Sequence, residues 1–301
     1  MYSFDKNPVG IYEKAFPPDY SWSQILIAAK QAGYDFVEMS IDESPVRLDR
    51  LKWDPAQRAV LRNAINDTGI PIWGMGISAH RKYPLGSANS ELRHAGLDIL
   101  YRSIELAAEL GIRVIQVMGY DVFYESHNVD TEGRFIEGLI AGTQWASAAG
   151  VLLALENVDT ICVDSAEKAM RIVNLINSPW FQVYPDIGNM TAAGFDPLEQ
   201  LPLTKGHLVG VHVKDTRKNE LRGVNLGEGI VRFPEVFKWL ASHNFSGPLV
   251  MEMWAELDRD NDPIGSLTHA RQILAEWIDE AWLGSNRNNA KIQTITKRGV
   301  N

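Results

Sequence analysis

The chain has 301 residues and is 45% hydrophobic, enough for a large buried core, and α/β barrels reach that size as one domain. Its 29 Lys and Arg against 38 Asp and Glu leave a formal charge of -9, totals that do not support a broad basic surface for nucleic acid but leave room for a local basic patch. The single cysteine, Cys162, excludes an intrachain disulfide framework and a cysteine-cluster zinc site, and fits a reducing compartment. It reads as a small apolar side chain near a strand end. The opening MYSFDKNPVGIYEKAF has neither a charged leader nor a continuous apolar stretch, and no apolar run approaches the roughly 20 residues that cross a bilayer. A soluble, cytoplasmic protein with no membrane partner is expected.

Short apolar runs alternate with segments of helical period along the chain, the grammar of repeated βα units around a parallel sheet. Eight strands are expected, at 8–14, 35–40, 70–77, 113–119, 151–156, 181–186, 208–214 and 248–254. Between the first two, Trp22, Ile25, Leu26 and Ala29 follow helical spacing, with Ser21 as N-cap and Gly33 as the stop. Asp54-Pro55 opens the next helix, and Gly69 ends it. Longer helices are expected over 90–110 and 131–149, each followed by glycine. A last helix is expected at 264–283. These units predict a single (β/α)8 TIM barrel over 1–283, followed by a polar, aperiodic, net basic tail over 284–301 that is expected to fray. A doubly wound open sheet fits less well, because GIYEKAF after strand one carries no glycine-rich nucleotide fingerprint.

Four residues close strands five to eight: Glu156 in VLLALEN, Asp186 in FQVYPDIGN, His212 in LVGVHVKD and Glu252 in PLVMEMW. Their intervals of 30, 26 and 40 residues are about one strand plus one helix, so the side chains can meet at one rim of a barrel. Glu156 and Glu252 sit within apolar runs, where an unpaired carboxylate is costly to bury unless a cation compensates. One imidazole and three carboxylates suit one divalent ion, Zn²⁺, Mn²⁺ or Co²⁺, better than a thiolate-loving metal. After strand three, ISAHRKYPLGS offers His80 and Arg81 for substrate, with Arg81 able to pair with an anionic group. Lys214 shares the His212 face of its strand and can reach substrate oxygens. The glycine-rich GVNLGEGIVRF, carrying Glu228, can cover a substrate or cradle a phosphate. Trp254 is expected to wall the pocket, whereas Trp145 and Trp239 belong to helical core patterns.

The strings GIYEKA, DFVEMSIDE, SAHRKYPLGS, GIRVIQVMGYDVFY, NSPWFQVYPDIGN, VHVKDT, NLGEGIV and EMW resemble the L-ribulose-5-phosphate 3-epimerase family of the xylose-isomerase-like TIM barrels, over roughly residues 8–280. The resemblance implies that Glu156, Asp186, His212 and Glu252 hold the metal. It also implies that Glu156 and Glu252 exchange the proton at C3 of a ketopentose phosphate, on opposite faces of a planar cis-enediolate. His80, Asn189, Lys214 and Glu228 match family segments around the pocket and are expected to contact substrate. Epimerases of unphosphorylated ketoses carry a histidine near the place of Asn189, so their sugar contacts do not transfer directly. The implied setting is degradation of L-ascorbate or a related sugar acid, and the implied assembly is a homodimer.

The alternatives differ in what they need. A hexulose-6-phosphate isomerase or another aldose–ketose isomerase uses the same enediol but reprotonates a neighbouring carbon. An AP endonuclease of the same superfamily needs more His and Asp ligands and a basic groove. A non-catalytic sugar-binding protein needs no metal chemistry at all.

Overall fold

The computed structural model describes residues 7–218, 220–258 and 262–298, with side chains described as far as 283. In chain order the first half runs β1 (Val9–Tyr12), α1 (Trp22–Gln31), β2 (Phe36–Ile41), α2 (Pro45–Leu48), α3 (Pro55–Thr68), β3 (Ile72–Ile77), α4 (Ser90–Leu110) and β4 (Val114–Met118). The second half runs α5 (Val129–Ala149), β5 (Leu152–Glu156), α6 (Ala166–Ile176), β6 (Phe181–Val183), α7 (Ile187–Ala192), α8 (Pro197–Gln200), β7 (Val211–Val213), α9 (Phe233–Ser242), β8 (Leu249–Met251) and α10 (Pro263–Arg298). All eight expected strands are present and parallel, in the order β6-β5-β4-β3-β2-β1-β8-β7. The two ends of that sheet meet through parallel bridges from Val183 to Leu208 and from Asp186 to His212, so the sheet curls into a TIM barrel.

Local chemistry sets the element boundaries. Ser21 and Gln24 form a reciprocal capping box at the start of α1, and Asp54 and Gln57 do the same at α3 ahead of Pro55. The glycines expected after α3, α4 and α5 are left-handed caps, with φ of 75° at Gly69, 76° at Gly111 and 68° at Gly150.

Alternation along each strand divides the interior in two. Val37, Met39 and Ile41 of β2, Ile115 and Val117 of β4, and Leu153 and Leu155 of β5 pack outward against the helices. Phe36, Val114, Ala154, Tyr184 and Val250 form a separate cluster that plugs the lumen. Above this plug, the inward positions turn polar, with Glu38 on β2, Gln116 on β4, Glu156 on β5 and His212 on β7 all buried. Two glycines of β3 make room for them. A Cβ at Gly74 would stand 2.9 Å from Glu38 Oε1, and one at Gly76 would stand 3.1 Å from Gln116 Oε1.

The expected last helix is longer than the sequence suggested. Instead of ending at 283, α10 continues to Arg298 and includes most of the segment expected as a frayed tail. No proline interrupts the 284–298 stretch, whose Arg, Ala, Lys and Gln residues favour a helix while its Gly, Asn and Thr residues oppose one only weakly. Positions 299–301 of the expected tail lie outside the described residues. Among the described residues, no helix is long and apolar enough to cross a membrane.

Candidate functional site

The four expected ligands converge, although they occupy less uniform positions than strand ends. Glu156 is the last residue of β5, His212 is the middle residue of β7, and Glu252 directly follows β8. Asp186 lies beyond the short β6 and caps α7, its Oδ1 accepting a hydrogen bond from the Asn189 backbone N–H at 2.9 Å. One donor atom from each of the four lies within 4.8 Å of the others.

His212 is oriented from below. Its Nε2 is 2.7 Å from Glu38 Oε2 and 3.2 Å from Gln116 Nε2, inside the lumen. This leaves Nδ1 turned toward the mouth, 3.2 Å from both Glu156 Oε1 and Glu252 Oε2. A carboxylate behind a histidine fixes its tautomer and raises its basicity as a metal ligand. Glu38 was not among the residues expected to form the site. The signal that singled out Glu156 and Glu252, a carboxylate inside an apolar run, is also present in DFVEMS.

The charges of the quartet are uneven. Burial pushes Glu156 up to about 7, against the opposing pull of His212. Burial likewise holds Asp186 up, at about 6, despite Lys214. At Glu252 burial acts in the same direction, but Lys214 and His212 outweigh it and keep the carboxyl well below its usual range. His212 is held well above the usual imidazole range because Glu38, Glu156 and Glu252 outweigh its burial. Asp186 Oδ2 is buried without a hydrogen-bond partner, although Lys214 Nζ stands 2.8 Å away. Three carboxylates and an imidazole nitrogen are a donor set that fits one divalent cation.

A cavity opens above Glu156 and Glu252, with Asn189, Lys214, Arg81 and Trp254 among its other lining residues. Lys214 Nζ donates to Asn189 Oδ1 at 2.7 Å and lies 5.7 Å from the Trp254 ring centroid. Arg81 lies against the rings of Tyr120 and Phe123 and donates to the Tyr120 hydroxyl. Tyr12, Lys14, Asp159 and Arg222 also line the cavity, and none was singled out from the sequence. Tyr12 and Lys14 fall at the end of the first expected strand and Asp159 and Arg222 in loops, with no pattern that marks them as site residues.

Three of the expected contact groups lie away from the cavity or are otherwise engaged. His80 is buried and does not line the cavity, its Nε2 lying 3.2 Å from the Gly96 carbonyl of α4. It sits in a 3-10 turn, Ser78–Arg81, whose three-residue period sends Ser78 and Arg81 to the cavity and His80 the other way. Glu228 is exposed and pairs with Arg217 rather than lining the cavity. The N–H groups of the glycine-rich loop are also committed: Asp215 accepts from Gly227 and Gly229 at 2.9 Å each and from Val231 at 3.3 Å. Those N–H groups already serve a carboxylate of the protein.

Residues 26–279 match the family model described as xylose isomerase-like TIM barrel, which is the class that this barrel and its rim of carboxylates define. The curated L-ribulose-5-phosphate 3-epimerases UlaE of Escherichia coli O157:H7 and of Shigella sonnei (strain Ss046) are each 44% identical over 271 residues, covering 90% of this chain and 93% of the relative. The chain belongs to the xylose isomerase-like TIM-barrel family and, within it, to the L-ribulose-5-phosphate 3-epimerases, enzymes of the isomerase class. Among solved structures, one of L-ribulose 3-epimerase superposes with a TM-score of 0.77 at 20% identity, covering 95% of this chain and 97% of the other. D-psicose 3-epimerase of Clostridium cellulolyticum H10 with D-tagatose gives a TM-score of 0.77 at 15% identity, covering 90% and 99%. At those identities the structures support the fold.

Proposed function

We propose that this chain is a metal-dependent epimerase that interconverts L-ribulose 5-phosphate and L-xylulose 5-phosphate by proton exchange at C3. The observation that carries this reading is the placement of Glu156 and Glu252, each 3.2 Å from His212 Nδ1 and each at the floor of the cavity. They project from β5 and from the end of β8, so they approach a bound sugar from different directions. The relatives at 44% identity supply the substrate class.

Glu156, Asp186, His212 and Glu252 would hold one Zn²⁺, Mn²⁺ or Co²⁺ ion. Such an ion, when bound, acts as a Lewis acid that stabilises charge developing on the C2 carbonyl as C3 loses its proton. The two glutamates then divide the proton transfer. Glu252, kept ionised by Lys214 and His212, takes the C3 proton. Glu156, whose carboxyl burial raises to about 7, returns a proton to the other face of the planar cis-enediolate. The reverse reaction exchanges their roles. Lys214 and Asn189 present polar atoms to the sugar oxygens, and Trp254 excludes water along one wall. Arg81, whose side chain meets aromatic rings and the Tyr120 hydroxyl, and Arg222, against the Trp254 ring, are the cations for the phosphate. The metabolic setting of this reading is L-ascorbate degradation.

Purified protein, stripped of metal and reloaded with Mn²⁺, Zn²⁺ or Co²⁺, is expected to interconvert the two pentulose phosphates and to lose that activity to a chelator. Turnover of unphosphorylated ketoses in preference to the phosphorylated pair would overturn the phosphate part of the reading. Full turnover after verified metal removal would overturn the metal part.

A further inference from the structure

A second group of unlike donor atoms lies outside the cavity, where the β4–α5 loop meets the segment after β5. Asp121, His127 and Cys162 each offer one donor atom within 4.8 Å of the other two. Asp121 is fully buried, and its two oxygens are treated differently. Oδ2 accepts from Thr131 Oγ1 and lies 2.8 Å from His127 Nδ1, whereas Oδ1 has no hydrogen-bond partner. A carboxylate oxygen buried at such depth is costly unless a cation or donor meets it. Cys162 is a free, buried thiol, raised well above its usual range by burial and by the facing Asp121 carboxylate. The His127 ring is about a third exposed, so the group has a route to solvent.

We infer that Asp121, His127 and Cys162 form a second divalent-metal site, selective for Zn²⁺ or Co²⁺, with solvent completing the coordination. One thiolate, one imidazole and one carboxylate are the mixed, partly soft donors that these ions favour over Mn²⁺ or Mg²⁺. The metal bonds to sulfur as the thiol proton leaves to solvent, so affinity rises with pH. This site differs in chemistry from the Glu156 quartet, which has no sulfur. Its structural consequence is local: the Asp121 carbonyl accepts from the Gly86 N–H at 3.0 Å, and the adjacent Tyr120 supports Arg81. An ion held here pins the loop that presents Arg81 to the cavity.

The chain's single cysteine makes the test specific, because any thiolate-to-cobalt charge-transfer absorption must come from Cys162. Metal-stripped full-length protein is titrated with Co²⁺ at a pH near 8 while the near-ultraviolet spectrum and bound metal are followed. The expected result is two ions per chain and a charge-transfer band, with the band and one ion lost in Cys162→Ser. His127→Ala, a change at an exposed side chain, should move the band to much higher Co²⁺ concentration. Absence of the band at saturating Co²⁺, or a band unchanged in His127→Ala, overturns the site whatever the quartet binds.

Discussion

At the scale of single residues, the site depends on how a few buried charges are divided. Glu156 and Glu252 are chemically alike, yet burial dominates one and neighbouring cations dominate the other, a difference that the proposed division into proton donor and acceptor requires. Glu156→Gln and Glu252→Gln each keep the side-chain volume and are expected to lower turnover by roughly 10²–10⁴-fold, with melting temperatures near wild type, as activity assays and calorimetry would read. Glu38 acts one step back, holding His212 through Nε2 at 2.7 Å. Glu38→Gln should weaken metal binding by about 10–100-fold in a competitive chelator titration, because the imidazole loses the carboxylate that orients it. An unchanged affinity would reduce Glu38 to a lumen-filling residue. Of the site's residues, the four proposed metal ligands were legible because each falls at or near the end of an expected strand. Glu38 breaks an apolar run as well, but short of the end of its expected strand, and only the register of β2 against β3 and the space left by Gly74 show that it reaches His212.

At the scale of elements, strands and helix caps followed from sequence, and loop interiors did not. Helical period and glycine caps located α3, α4 and α5 because backbone conformation there depends on near neighbours. His80 and Arg81 are adjacent, so composition could not tell them apart; the 3-10 turn separated them. The glycine-rich loop depends on Asp215, whose four accepted backbone hydrogen bonds include those from Gly227 and Gly229. Asp215→Ala leaves those N–H groups unpaired and is expected to cost about 2–4 kcal/mol in denaturant unfolding. A loss below about 0.5 kcal/mol would mean that the loop finds other partners.

At the scale of the whole molecule, the barrel interior has two layers, an apolar plug below and the charged rim above. His80, buried beside α4, makes the fold sensitive to acid. Burial lowers its pKa from 6.5 to about 4, so the unfolded chain binds this proton first as pH falls. Its contribution is complete above pH 6.5 and declines between 6.5 and about 4, on the order of 3 kcal/mol in full. Unfolding free energy measured across that window should fall less steeply in His80→Gln than in wild type.

The central claim concerns which carbon exchanges its proton. Metal-loaded protein incubated in deuterated water with L-ribulose 5-phosphate is expected to place deuterium at C3 as L-xylulose 5-phosphate forms, read by proton NMR. Deuterium at C1 with formation of an aldose phosphate, or epimerised product without deuterium at C3, would contradict it.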